Sequence, residues 1–119
     1  MKTTKNIFLT FCMSLFLLGV KFSNAQAPDK KTDTFKVYGN CEMCESKIEG
    51  ALKKNEGVFK KDWNSETKML SVTYDPAKIN LTQIKQKVAD AGYDSDEIRA
   101  KDESYNKLHK CCQYDRPGK

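Results

Sequence analysis

The residues of this sequence best suited to chemistry are two cysteines three positions apart, Cys41 and Cys44. A strand-like alternating run ends just before them, and a helical pattern begins that places Cys44, Ile48, Ala51 and Leu52 on one face. We therefore expect Cys41 in a loop and Cys44 in the first turn of a helix, with both sulfurs directed into one small exposed volume. A helix N-terminus favours the thiolate form of a cysteine, and thiolates bind soft metal ions. The spacing thus indicates a soft-metal site.

The Cys-x-x-Cys spacing also serves other chemistry. It occurs in thiol–disulfide oxidoreductases, in half of a zinc knuckle and as a simple disulfide. The sequence offers few groups for acid–base catalysis, because it contains one histidine. It also shows no Ser/His/Asp, paired-carboxylate or phosphate-loop arrangement. We therefore expect a protein that is not an enzyme.

The elements that must position the cysteines follow from the periodicity of the chain. Strands are predicted at residues 34–38, 58–64, 69–74 and 95–100. Besides the helix that bears Cys44, a second helix is predicted after the N-cap Asn80. Its apolar face consists of Leu81, Ile84, Val88 and Ala91. This order predicts an α+β, ferredoxin-like βαββαβ sandwich, with two helices on one face of a four-stranded antiparallel sheet and a short C-terminal helix beyond it.

The N-terminal segment has the pattern of a secretory signal peptide. Lys2 and Lys5 precede a mostly apolar run that ends at Val20, and small residues follow. The run is shorter than the roughly 20 residues of a membrane span. We assign residues 1–25, which include Cys12, to the signal peptide and residues 26–33 to a flexible leader. The predicted location is therefore periplasmic or secreted, with no membrane span after cleavage.

Cleavage after Ala25 removes three lysines and no acidic residue, which lowers the formal net charge from +5 to +2. A mildly basic small domain is no argument for nucleic-acid binding, and no aromatic–basic stripe is visible. The lysines between the motifs, Lys85 among them, are expected on the solvated face. Trp63 lies in a predicted strand and is expected in the core.

Several motifs occur together between Phe35 and Arg99. They are Val37-x-Gly39-x-Cys41-x-x-Cys44, Gly57-Val58, Glu66-Thr67, Val72-x-Tyr74-Asp75-Pro76 and Ile84-x-x-x-Val88-x-x-Ala91-Gly92-Tyr93. With them the sequence resembles the heavy-metal-associated domain family, which includes copper chaperones, modules of copper-exporting ATPases and the periplasmic mercury-binding protein. We assign residues 34–100 to such a domain. One departure is visible: family members usually carry a methionine after the glycine, whereas only Asn40 separates Gly39 from Cys41.

The resemblance implies a bound ion, its ligands and its partners. The ion would be Cu(I) or Hg²⁺, held by Cys41 and Cys44, with Tyr93 beside it. A metal-transport ATPase or another metal-binding protein would be the donor or acceptor. The protein itself would be a monomer or a metal-bridged dimer.

Residues 101–119 form a C-terminal extension with adjacent cysteines, Cys111 and Cys112. If Tyr93 lies near the metal loop, the last strand runs about 17 Å away from that loop. A helix from Asp102 to Cys111 then returns about 14 Å. The two pairs of cysteines would meet and form a three- or four-thiolate site, which suits Cu(I) or a tetrahedral Zn²⁺.

Other residues and other interpretations remain open for this extension. His109 lies one turn before Cys112 and is a candidate further ligand, since imidazole is a common one, although a lone histidine is more often a solvated surface residue. Met43, between the first two cysteines, is expected as a ligand or as a neighbour of the ligands. In an oxidising compartment the tail cysteines could instead form disulfides, and four cysteines allow three pairings.

As a whole, the sequence predicts an exported protein that binds a soft metal ion, Cu(I) first and Hg²⁺ second, and buffers or transfers it by thiolate exchange. One alternative is a thiol–disulfide oxidoreductase that uses Cys41 and Cys44, although the chain lacks the thioredoxin order of elements. The other alternative is a disulfide-stapled interaction domain that binds no metal.

Overall fold

A computed structural model of the protein describes residues 29–118. The predicted signal peptide at residues 1–25, Cys12 within it and the first three residues of the predicted leader lie outside the described residues. Within residues 29–118, no helix is both long enough and apolar enough to cross a membrane.

Three antiparallel strands form the sheet of the described region, in the order β1-β3-β2. They are β1 (Lys31–Lys36), β2 (Val58–Trp63) and β3 (Met69–Tyr74). In β3, buried Leu70, Val72 and Tyr74 alternate with more exposed residues, so one face of the sheet is apolar. Trp63 is buried at the end of β2, which confirms its predicted place in the core.

Two helices add to the core, which loops and the C-terminal extension complete. They are α1 (Glu42–Gly50) and α2 (Leu81–Asp90), and one turn of 3-10 helix at Lys54–Glu56 precedes β2. The predicted cap of α2 is confirmed: the Asn80 side chain accepts a hydrogen bond from the Gln83 amide at 2.8 Å, and the Gln83 side chain accepts one from the Asn80 amide at 2.9 Å. The order of elements confirms the predicted α+β class.

The predicted fourth strand is wrong as a strand. Of residues 95–100, Ser95 alone pairs with the sheet, in an isolated bridge to Val37. The reason is local, because the backbone hydrogen bonds close a turn: the Ser95 amide donates to the carbonyl of Ile98 at 2.9 Å. The Ala100 amide is used by the Asp94 side chain at 2.7 Å. Backbone groups occupied in this way cannot form a ladder.

The first strand begins earlier than predicted. β1 starts at Lys31, so the last three residues of the predicted leader belong to the sheet. All six residues of β3 find partners in β1, and Lys31 pairs with Tyr74 at the far end. The Tyr74 hydroxyl also donates to the Asp33 carboxylate at 2.6 Å, which fixes this extra length of strand.

Lys85 does not lie on the solvated face as predicted. It is 4% exposed, on the side of α2 that faces the turn formed by residues 95–98, where the fourth strand was predicted. Its ammonium lies 3.1 Å from the Glu97 carboxylate and 3.4 Å from that of Asp96, and 5.1 Å from the centre of the Phe35 ring. Paired in this way, the charge can lie along the edge of the sheet while its methylene groups stay buried.

The C-terminal extension folds back onto the domain. It contains a short helix, α3 (Asp102–Asn106), and a 3-10 turn at Lys110–Cys112, so the predicted continuous helix to Cys111 is wrong. The helix stops because Leu108 packs inward against Gly92, where a β-carbon would lie 3.1 Å from the leucine side chain. Gly92 also has φ of +105°, a conformation that favours glycine.

A buried ion pair fixes the end of the extension. Arg116 donates to both carboxylate oxygens of Asp94 at 2.8 Å, and a third bond joins it to the Ala100 carbonyl. The Asp94 side chain is 1% exposed. Burial alone would raise the pKa of Asp94, but the hydrogen bonds and charge of Arg116 outweigh burial and hold that pKa below its ordinary value. Tyr114 adds two bonds, to the Gly92 carbonyl and from the Asp94 amide.

Replacing Arg116→Ala should lower the free energy of unfolding by about 3 kcal/mol, because it leaves the buried Asp94 carboxylate without its partner. Urea denaturation at neutral pH measures this change. Arg99→Ala is the matched control: Arg99 is 4.0 Å from the same carboxylate and more exposed, so its loss should cost less than about 1 kcal/mol.

The effect of Arg116→Ala should also depend on pH. The folded-state pKa of Asp94 is lowered, so the stability it contributes is complete above its unfolded pKa near 3.8 and is lost as the pH falls through the folded pKa. The difference between the wild type and the variant should therefore shrink in acid. A difference that is constant with pH would contradict the pairing.

Candidate metal centre

The first two cysteines lie where the helical pattern predicts. Cys41 is the exposed N-cap residue of α1, and Cys44 is fully buried in the first turn. No side chain caps this end of the helix, which leaves its N–H groups free to stabilise negative charge. The Asn40 amide also donates to the Cys44 sulfur at 3.4 Å. The loop therefore surrounds one sulfur with backbone donors and leaves the other accessible.

A close approach of backbone and ring fixes this loop. A β-carbon at Gly39 would lie 3.0 Å from the Trp63 ring and 3.3 Å from the β-carbon of Cys44, so the position requires glycine. The Trp63 indole N–H in turn donates to the Val37 carbonyl at 3.0 Å. Lys68 lies over the same ring, 5.4 Å from its centre, and its ammonium reaches the Asn40 carbonyl at 3.5 Å. The loop is thus held on its inner side by a tryptophan.

The structure brings the tail cysteines back to the loop, as the length of the extension predicts. Cys112 is fully buried beside Cys44, whereas its neighbour Cys111 is exposed. The Asn40 side chain donates to the Cys111 carbonyl at 3.1 Å and joins the two segments directly. All four cysteines of the described region are free thiols. Ligation of a metal by the tail cysteines stays a prediction.

Tyr93 lies beneath the two buried thiols. It is fully buried, and among the described residues its hydroxyl has no hydrogen-bond partner. The polar groups that act on it are the thiols of Cys44 and Cys112, and burial followed by their charge raises the pKa of Tyr93. Its ring stacks on Tyr114, with centres 5.8 Å apart. An unpaired buried hydroxyl that faces sulfur is suited to donate to a charged thiolate.

The two buried thiols have opposite pKa shifts. Burial alone would raise the pKa of Cys44, but the backbone donors at Cys41 and Asn40, helped by Cys112 and Tyr93, lower it. Burial, and then the neighbouring Cys44, raise the pKa of Cys112 to about 11. The pair therefore favours one thiolate, at Cys44, and one thiol, at Cys112.

Of the remaining predicted residues, Met43 contacts a tail cysteine, and His109 is exposed. The sulfur of Met43 is 3.6 Å from the Cys111 sulfur, and its side chain is 46% exposed. His109 is exposed; its backbone carbonyl accepts a hydrogen bond from the Cys112 amide, and the described contacts include none made by its imidazole.

The structure adds contacts that the sequence did not indicate. Asn40 and Lys68 both hold the loop, and no pattern in a single sequence pointed to either of them. Within residues 29–118, one trio of ligating side chains has all its ligand atoms within 4.8 Å, and it is acidic: Glu45, Glu49 and Asp62. Within the described residues no three thiols lie this close together, so an ion shared by three of them requires a side chain, such as that of exposed Cys41, to turn.

Comparisons with known proteins agree with this geometry. The model of the heavy-metal-associated domain family matches residues 34–94. The copper chaperone CopZ of Staphylococcus aureus is 40% identical over 55 residues, which cover 46% of this chain and 81% of the chaperone.

Solved structures give the same result. Oxidized MerP from Ralstonia metallidurans CH34 is 38% identical with a TM-score of 0.52, over 56% of this chain and 94% of that one. The Cu(I)-loaded N-terminal domain of a potential copper-translocating P-type ATPase from Bacillus subtilis is 28% identical with a TM-score of 0.53, over 56% and 85% of the two chains. The family match ends at Asp94, so the C-terminal extension lies beyond it.

Replacing Tyr93→Phe should raise the pKa of Cys44, because it removes a polar group that favours the thiolate. The free energy of unfolding should change by less than about 1 kcal/mol, since the lost hydroxyl is unpaired. The ¹³Cβ chemical shift of Cys44, followed against pH, measures the titration residue by residue.

Tyr105→Phe is the control for this substitution. It removes a hydroxyl that donates to the Tyr114 carbonyl at 2.6 Å, and should cost about 1 kcal/mol without moving the Cys44 titration. An unchanged pKa of Cys44 in Tyr93→Phe would mean that the hydroxyl does not act on the sulfur.

Proposed function

This chain belongs to the heavy-metal-associated domain family, and from that premise we propose that it is an exported carrier of Cu(I). The ion is held by Cys41 and Cys44 and passes to other proteins by thiolate exchange. The observation that carries the proposal is the environment of Cys44, where backbone donors at a helix N-terminus lower the pKa of a buried thiol beside an exposed one. Such a pair offers one preformed thiolate and one accessible sulfur to a soft ion.

The exposed position of Cys41 explains how the ion is exchanged. Two thiolates leave the coordination of Cu(I) incomplete, so an incoming thiolate can bind before a resident one leaves. The transfer then proceeds through a three-coordinate intermediate, and neither protein releases a free ion. Hg²⁺ has the same preference for sulfur and is the second candidate cargo, while Zn²⁺ would need the full set of four ligands.

The tail shifts this balance from transfer toward retention. Cys112 lies beside Cys44 on the buried side, where it can supply a third sulfur that solvent does not reach. A third ligand closes the position that an incoming thiolate uses. We therefore propose that this protein buffers the ion as well as transferring it, and works as a monomer or a metal-bridged dimer.

The partner follows from the same chemistry. It must present its own exposed thiolates and accept an ion from a shallow loop. The resemblance to a domain of a potential copper-translocating P-type ATPase supports a metal-transport ATPase, or another metal-binding protein, as donor or acceptor. Nothing in this proposal requires catalysis by the chain itself.

Cys41→Ser and Cys44→Ser should each weaken Cu(I) binding by more than about 100-fold, because each removes a ligand rather than a neighbour of one. The comparison uses the full chain with Cys12→Ser in every sample, so that only four thiols contribute. Anaerobic competition against a chromophoric Cu(I) chelator gives the affinities. Cys112→Ala should have a smaller effect on affinity and should speed release to the chelator.

Unchanged affinity in Cys41→Ser and Cys44→Ser would refute the copper proposal. An insulin-reduction assay on the same samples tests the oxidoreductase alternative. Turnover that depends on Cys41 would favour that alternative.

Export should be visible in the mass of the accumulated protein. Cleavage after Ala25 predicts a product that begins at Gln26, recovered from the periplasm or the medium. Intact-mass spectrometry of each fraction measures this, and a chain lacking residues 2–25 is the control that should stay in the cytoplasm. Recovery of the uncleaved chain from the cytoplasm would contradict the assignment.

A further inference from the structure

The adjacent tail cysteines of the 3-10 turn at Lys110–Cys112 differ in exposure. Cys112 is fully buried and lies beside Cys44, whereas Cys111 is exposed. Cys112 can therefore bind a single ion held near Cys44, whereas Cys111 remains on the outer surface. On this outer surface the Cys111 thiol contacts another sulfur.

That partner is the sulfur of Met43, 3.6 Å from the Cys111 sulfur. Met43 is 46% exposed. Within residues 29–118, Met43 and Met69 are the two large apolar residues that are exposed. A methionine side chain ordinarily stabilises a fold by being buried, and this one is only partly buried. What its position does provide is a thioether beside a thiol, a pair of soft donors.

Both members of this pair are held by the fold. Met43 belongs to the first turn of α1, between the two loop cysteines. Cys111 is held by the Asn40 side chain, which donates to its carbonyl at 3.1 Å. The Arg116–Asp94 pair fixes the chain a few residues further on. The short sulfur–sulfur distance thus joins two anchored segments rather than two free ends.

We propose that Met43 and Cys111 form a second, exposed binding site for a soft monovalent ion such as Cu(I), separate from the pair Cys41 and Cys44. The inference rests on the proposed function, because it assumes that soft metal ions reach the loop. Binding displaces the thiol proton of Cys111 to solvent and leaves the oxidation state of the ion unchanged. The chain then carries two ions, one at each site.

The geometry indicates how this outer site works. With metal–sulfur bonds of about 2.3 Å, sulfurs 3.6 Å apart enclose an angle of about 100° at the ion. This bent arrangement leaves coordination positions open toward solvent. A thioether is also a neutral ligand and holds the ion less tightly than a second thiolate would. The outer site is therefore suited to first capture, and to exchange with a partner before the inner ion is released.

Native mass spectrometry under anaerobic, reducing conditions tests the proposal by stoichiometry. The full chain with Cys12→Ser is titrated with Cu(I) beside Met43→Leu, Cys111→Ser and, as matched control, Met69→Leu. Met69 is the other exposed methionine, so its variant makes the same chemical change away from the tail. The parent and Met69→Leu should bind two ions, whereas Met43→Leu and Cys111→Ser should bind one, with the affinity for the first ion unchanged within about threefold.

Three results would overturn the outer site. The parent could bind a single ion, or Met43→Leu could retain two. The third is a loss of affinity for the first ion in Met43→Leu, which would mean that Met43 belongs to one shared cluster. Failure of the copper proposal itself looks different: Cys41→Ser and Cys44→Ser would then bind the first ion as tightly as the parent.

Discussion

The arrangement of the cysteines depends on one buried ion pair. Asp94 is the last residue of the family domain, and a carboxylate this deeply buried is tolerated only with full hydrogen bonding. Arg116, near the far end of the tail, donates hydrogen bonds to both carboxylate oxygens of Asp94. The pair closes a long segment of chain on itself, and the buried side chains of Leu108 and Tyr114 also hold that segment against the domain. Cys112 is in that segment, and the closure together with this packing places it beside Cys44.

The closure creates two chemically different surfaces from four similar residues. On the inner side, Cys44 and Cys112 are buried together with the unpaired hydroxyl of Tyr93. Backbone donors at the helix N-terminus lower the pKa of Cys44, whereas burial raises the pKa of Cys112. On the outer side, Cys41 and Cys111 stay open to solvent, with Met43 beside the latter. The first environment favours retention of an ion, and the second favours its exchange.

The comparison with relatives separates what is shared from what is added. The copper chaperone of Staphylococcus aureus matches less than half of this chain, and the family match stops where the tail begins. The paired cysteines of the loop belong to the shared part. The residues that cover them belong to the added part, along with the arginine that holds the cover in place. The features that set this chain apart from its relatives are therefore the extension and, within the shared part, the loop in which only Asn40 separates Gly39 from Cys41.

The sequence by itself determined the features that depend on near neighbours. The bounds of β3, the capping box of Asn80 and the place of Cys44 at the start of a helix all follow from periodicity and from contacts within four residues. The return of the tail to the loop was also predicted, but from a strand at residues 95–100 and a continuous helix that the structure does not contain, so the outcome agrees while its assumed route does not.

Tertiary structure decided the rest. Side chains took backbone groups or charges that the hydrophobic periodicity assigns elsewhere. The Asp94 carboxylate used an amide that the fourth strand would have needed, and acidic residues of the same turn drew Lys85 out of solvent. Which of two adjacent cysteines turned inward was fixed by contacts on either side of them, from Asn40 to Cys111 and from Arg116 to Asp94. These two contacts join residues 71 and 22 positions apart, a separation at which periodicity gives no information.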